Sequence, residues 1–109
     1  MEQARQFREG AEAATSPGMR VEAWFLSAYH YIEACAAKHR LHIQKVASEL
    51  KRSPEIFRDH TARVVEAFLY LDNEARARFV YGTSGTKADL ERARECFEAI
   101  VSICEEVLR

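Results

Sequence analysis

An all-α, antiparallel up-and-down bundle of four to five helices is the fold this sequence predicts. Three observations carry that prediction. Only four Gly and two Pro occur in 109 residues, whereas the strong helix formers Ala, Glu, Arg and Leu are plentiful. Apolar residues recur at three- and four-residue steps along most of the chain. Turn chemistry is confined to a few short breaks, and short loops make consecutive helices antiparallel neighbours. The length suits one domain, spanning residues 1–109.

The first helix is predicted over 2–15, where Ala4, Phe7, Ala11 and Ala14 form a weakly apolar face that Gly10 loosens. Thr15, Ser16, Pro17 and Gly18 combine cap, turn and proline chemistry and end it. The second helix is predicted over about 19–40. Val21, Trp24, Phe25, Ala28, Ile32, Cys35 and Ala36 make a wide stripe, and Leu26, Tyr29 and Tyr31 broaden it enough to pack on more than one neighbour. A short helix over 43–51 turns Ile43, Val46, Ala47 and Leu50 inward. Ser53 and Pro54 then read as an N-cap and first helical residue. The next long helix, about 60–81, places Val64, Phe68, Leu71, Ala75 and Phe79 on one side, with Val65 and Leu69 beside them. Gly82 to Gly85 break it. Thr86 and Asp89 form a capping box with Asp in the Glu position, opening a last helix over 87–108 whose core face is Leu90, Ala93, Phe97, Ile100, Val101, Cys104 and Leu108.

Sixteen basic and seventeen acidic residues nearly cancel. The chain therefore lacks the global field of a strongly nucleic-acid-binding or membrane-surface protein, and only a local basic patch remains open. Near-zero net charge also does little to keep copies apart. Hydrophobic residues at 48% and charged residues at 30% exclude disorder. Three cysteines without a CxxC pairing read as free thiols, and Cys96 and Cys104 lie too far apart along one helix to bridge. The charged N-terminal stretch lacks the apolar core of a signal peptide, and no apolar run reaches the roughly 20 residues of a membrane span. The expectation is a soluble, cytoplasmic protein without a membrane partner.

Candidate chemistry is sparse. Cys35, His39 and His42 fall within eight residues and would need a fourth ligand to hold zinc, but Cys35 sits on the apolar stripe and both histidines flank a helix end. No metal site is predicted. His30 and Glu33 share a helical face, without the second copy that a di-iron bundle requires. No phosphate-loop, dinucleotide or nucleophile-elbow fingerprint occurs, and no cofactor is predicted. The Gly82–Gly85 loop could hold an anion through backbone N–H groups, and a plain capping loop explains the same residues. Arg63, Arg76 and Arg78 with Phe79 and Tyr81, and a second basic cluster from Lys38 to Arg58, could form a phosphate-binding face, or a solvated face balanced by Glu49, Glu55, Asp59 and Glu66.

Two segments carry a family resemblance. Residues 23–34, AWFLSAYHYIEA, resemble the HEPN-domain helix that reads A-x-H-x-x-E-A after an aromatic residue. Residues 76–82, RARFVYG, followed by a turn and a long helix, resemble the R-x-x-A-D-Y-G stretch closing the penultimate helix of that superfamily. With the helix order, the likeness runs from about residue 4 to residue 106. It implies an up-and-down bundle, often homodimeric, with a nucleotide- or RNA-facing cleft and a minimal nucleotidyltransferase as partner. Catalytic members use Arg followed by four to six residues and His as a metal-independent RNase motif. Here Arg76 or Arg78 stands for the Arg, no His follows His60, and Tyr81 occupies the approximate place of the His. A phenol of ordinary pKa, about 10, is a weak base at neutral pH.

The resemblance therefore implies a non-catalytic module for nucleotide, RNA or a partner nucleotidyltransferase, with no catalytic residues. Arg76, Arg78 and Tyr81 are the ligand contacts, and His30 and Glu33 are further cleft candidates. The alternatives are a metal-independent HEPN-type RNase toxin and a homo-oligomeric protein-interaction module with no nucleotide ligand.

Overall fold

Helix formation begins at the second residue, without a side-chain cap. The computed structural model describes residues 1–109. Its first helix, α1, is Glu2–Ala13. Ser16 caps α2, Pro17–Ala37, by accepting a hydrogen bond from the Met19 N–H, and Pro17 occupies the first turn, where a missing N–H costs nothing. Helix α2 stops three residues earlier than its periodicity suggests. Arg40 adopts a left-handed φ of 59°, the Leu41 N–H reaches back to the Ala36 carbonyl and the Arg40 N–H to that of Ala37. This is a Schellman closure with Arg where Gly is usual.

Helix α3 is Val46–Arg52. The Glu49 carboxylate accepts the Gln44 and Lys45 backbone N–H groups at 2.6 and 2.7 Å, supplying the start that Lys45 as N-cap does not. Those two bonds hold Glu49 below the usual carboxylate range. Ile43 lies ahead of the helix and is nevertheless buried.

The expected fresh start at Ser53 and Pro54 does not form. Residues 54–57 make a turn, closed by the Arg58 N–H on the Pro54 carbonyl, and Arg58 takes a left-handed φ of 53° that no helix can continue through. A short 3-10 turn, Arg58–His60, leads instead into α4 at Thr61.

Helix α4 runs through three successive segments: α-helical Thr61–Leu69, a π segment Tyr70–Ala75, and α-helical Arg76–Phe79. The π segment was not legible from periodicity. Its i→i+5 bonds take up one residue more than an α turn, and both Tyr70 and Leu71 are buried there. Helix α5, Lys87–Leu108, opens on the predicted capping box, with Thr86 and Asp89 each bonding the other's backbone N–H at 3.1 and 3.0 Å.

The core is apolar almost without exception. Of 28 buried residues, Ser27 alone is polar, and its hydroxyl donates to the Ala4 carbonyl at 2.7 Å. That bond fixes the α1–α2 approach, which the small side chains of Ala4, Ala11 and Ala28 keep close. Helix α2 forms the spine. It meets α5 through the stacked Trp24 and Phe97 rings at 6.2 Å and α4 through Phe25 and Phe68 at 5.3 Å. All three cysteines are buried free thiols, with the Cys35 thiol donating to the Cys104 carbonyl at 3.7 Å. No helix is long and apolar enough to cross a membrane.

Candidate functional site

Tyr81 lies just past the end of α4. Instead of running on, the chain folds back so that the Tyr81 N–H bonds the Arg76 carbonyl at 3.0 Å. The phenol oxygen then accepts a hydrogen bond from Arg76 Nη2 at 2.9 Å, and the guanidinium lies 5.5 Å from the Tyr81 ring centre. Glycines permit this reversal. A Cβ on Gly82 would stand 2.9 Å from the Ala77 carbonyl oxygen, and one on Gly85 would stand 2.3 Å from the Phe79 ring. The 82–85 loop is thus a close-packed capping loop laid against the end of α4.

Arg76 is the hub. Its Nε and Nη2 clasp Glu22 side-on at 3.1 and 3.3 Å, its Nη1 donates to Asp72 at 3.0 Å, and its plane covers Phe25 at 4.1 Å. Its side chain is only 20% exposed. Burial works against the charge, and the hydrogen bonds to Glu22 and Asp72 outweigh that, so Arg76 is held charged above its ordinary value. Four of its five N–H groups are committed within the protein. Arg76 therefore positions Tyr81 and has little left to offer a phosphate.

Arg78 stands two residues on, which turns it to the opposite side of the helix. It pairs with Glu74 at 3.1 Å and reaches Asp89 of α5 at 3.6 Å. Four carboxylates thus surround two guanidiniums, and the face that sequence alone presents as basic is electrostatically compensated. Tyr81 itself is 73% exposed, the most open large apolar side chain, followed by Met19 at 64%.

His30 and Glu33 belong to a different place. The His30 Nδ1 lies 3.5 Å from one Glu33 oxygen and the His42 Nδ1 lies 3.6 Å from the other, so one carboxylate stands between two imidazoles. His30 also stacks on Phe7 at 5.5 Å. Glu22 and Glu33 are eleven residues apart on α2, about 16 Å along its axis. The structure brings Arg76 and Tyr81 together and leaves Arg78, and the His30–Glu33 pair, outside their contact. The zinc set does not converge, because the buried Cys35 turns to Cys104 while His42 faces Glu33. No three His, Cys, Asp or Glu side chains gather as a metal would need.

Sequence reasoning missed Glu22 and Asp72. The i,i+4 spacing of Asp72 and Arg76 is a readable signal, whereas the Glu22 contact closes over 54 residues and only folding reveals it. Comparison with known protein families, curated proteins and solved structures found no match to this chain.

Proposed function

We propose that this chain is a non-catalytic, HEPN-like binding module that captures an unstacked base of a nucleotide or RNA on Tyr81. The observation behind the proposal is an exposed aromatic ring whose hydroxyl is held by a guanidinium that is itself locked by two carboxylates. A ring ordered in advance loses little entropy when a base stacks on it, and one such stack contributes about 1–3 kcal/mol. Because Arg76 and Arg78 are neutralised in place, recognition rests on stacking more than on phosphate contacts, and binding should depend only shallowly on salt. A minimal nucleotidyltransferase as partner and a homodimeric state belong to the same proposal, on the sequence resemblance alone. The missing His argues for binding without cleavage.

The test is fluorescence anisotropy of labelled single-stranded RNA. Tyr81→Ala should weaken binding by roughly 5- to 150-fold, the range that one lost stack spans, and Tyr81→Phe should retain most of it. Unchanged affinity in Tyr81→Ala would sink the proposal, and cleavage of metal-free RNA would revive the RNase toxin. The compensated charge and the exposed Tyr81 and Met19 favour one second reading, a homo-oligomeric protein-interaction module. It predicts a defined oligomer by light scattering and no shift of Tm with nucleotide or RNA.

A further inference from the structure

On the other side of α2 lies a trough that the Tyr81 site does not use. Counting 100° per residue, Glu22 and Phe25 point toward α4, while Arg20 and Trp24 share the face turned to α1 and α5. Two hollows of about 330 and 540 Å³ open there and share Arg20, Trp24 and Arg94. Each falls within the size range of small-molecule sites. The stacked Trp24 and Phe97 form an apolar floor, and four cations rim it: Arg8, Arg20, Lys87 and Arg94.

The carboxylates Glu12, Glu91 and Glu98 also line the trough, so the distribution of charge matters more than its sum. Arg94 is held by Glu91 at 2.7 Å, and Arg8 stands 3.8 Å from both Glu12 and Glu105. Arg20 and Lys87 have no carboxylate partner. Arg20 donates one Nη2 hydrogen bond to the Ala14 carbonyl at 3.0 Å, which anchors the arm and leaves most of its N–H groups free. Lys87 and Arg94 are seven residues apart on one face of α5, about 10 Å along its axis. A chain of linked anionic groups can meet cations set along one helix face in turn, and so engages more of them than a single small anion does. Guanidinium forks suit phosphate oxygens in particular.

We propose that this trough binds an oligophosphate, two or more linked phosphates, carried by a nucleotide or free as inorganic polyphosphate. Arg20 and Lys87, the two cations without a carboxylate partner, are its contacts, and the carboxylate-paired Arg94 and Arg8 flank them. The site stands apart from the Tyr81 reading, and either can fail without the other.

Isothermal titration calorimetry at low salt, with ATP, inorganic tripolyphosphate and adenosine as probes, tests it. In the Tyr81→Ala background, which removes the base-stacking ring, both phosphate compounds should bind and adenosine should not. Tighter binding of ATP than of tripolyphosphate would identify a nucleotide as the source, and equal binding the phosphate chain alone. Arg20→Ala combined with Lys87→Ala should weaken both at least tenfold, and Tyr81→Ala should leave tripolyphosphate affinity unchanged. Lys87→Glu, at an exposed position in the first turn of α5, repeats the test should the double variant fold poorly. Absence of binding by both phosphate compounds, or binding indifferent to Arg20→Ala/Lys87→Ala and to Lys87→Glu, would overturn the proposal.

Discussion

Arg76→Ala removes the one side chain that ties α2, α4 and the Tyr81 turn together, and its cost can be worked from the geometry. The side-on pair with Glu22, two charge-assisted hydrogen bonds at 3.1 and 3.3 Å, contributes about 1.5 kcal/mol. The stack on Phe25 at 4.1 Å adds about 1 kcal/mol, and the i,i+4 pair with Asp72 about 0.4 kcal/mol. Glu22 and Asp72 are 32% and 36% exposed, so water recovers part of what they lose. Discounted for that screening, the net destabilisation is about 2 kcal/mol. For a domain of this size that corresponds to a fall in Tm of roughly 8–10 °C. Urea unfolding of Arg76→Ala, Glu22→Gln and the double variant closes a thermodynamic cycle, which should give a coupling of about 1 kcal/mol between them. Arg76→Lys keeps the charge, loses the side-on clasp and should recover less than half the loss. A coupling indistinguishable from zero, or a ΔΔG for Arg76→Ala within about 0.5 kcal/mol of wild type, would refute the view that this guanidinium organises the site.

Other consequences follow from the same structure. Arg40 holds a left-handed backbone at the end of α2, so Arg40→Gly should stabilise the protein by about 0.5–1 kcal/mol in thermal or urea unfolding, while Arg40→Ala should not. Gly85→Ala forces a Cβ into the Phe79 ring and should cost about 1–3 kcal/mol by the same assay, loosening the turn that carries Tyr81. The Thr86 backbone N–H and side chain hold the Asp89 carboxyl below its ordinary range. Its stabilising contribution is therefore complete above the unfolded-state pKa, about 3.9, and disappears as the pH falls through the lower folded value. Asp89→Asn should accordingly flatten the loss of stability on acidification, read as the urea midpoint between neutral and acid pH. Hydrogen bonding with Cys35 and burial push the Cys104 thiol up, so a thiol reagent at neutral pH should modify it only at the rate of unfolding.

Much of the architecture was legible because helix signals are local. Periodicity named most of the buried faces of α2 and α5, leaving out Ser27 and Cys96, since residues three and four apart must share a face whatever they pack against. The capping box at Thr86 and Asp89 was readable because both ends of the interaction lie within one turn, whereas Ser16 and Pro17, expected only as a break, open α2 two residues ahead of the expected start at 19. Local reasoning failed at Ser53 and Pro54, where the cap signature is present but Arg58 adopts a conformation that propensity disfavours. It failed again at the π segment, whose extra residue per turn carries no distinctive pattern.

What the sequence by itself determined is an all-helical chain with an apolar core, near-neutral charge and an Arg and Tyr spaced to meet at the end of one helix. What only the tertiary structure decided is the state of those charges. Glu22 reaches Arg76 from another helix, Asp89 reaches Arg78 from a third, and Arg8, Arg20, Lys87 and Arg94 gather from three helices around Trp24. Apolar periodicity is fixed by the geometry of a single helix. Electrostatic partnership falls off over a few ångströms, and so depends on which helices folding brings side by side.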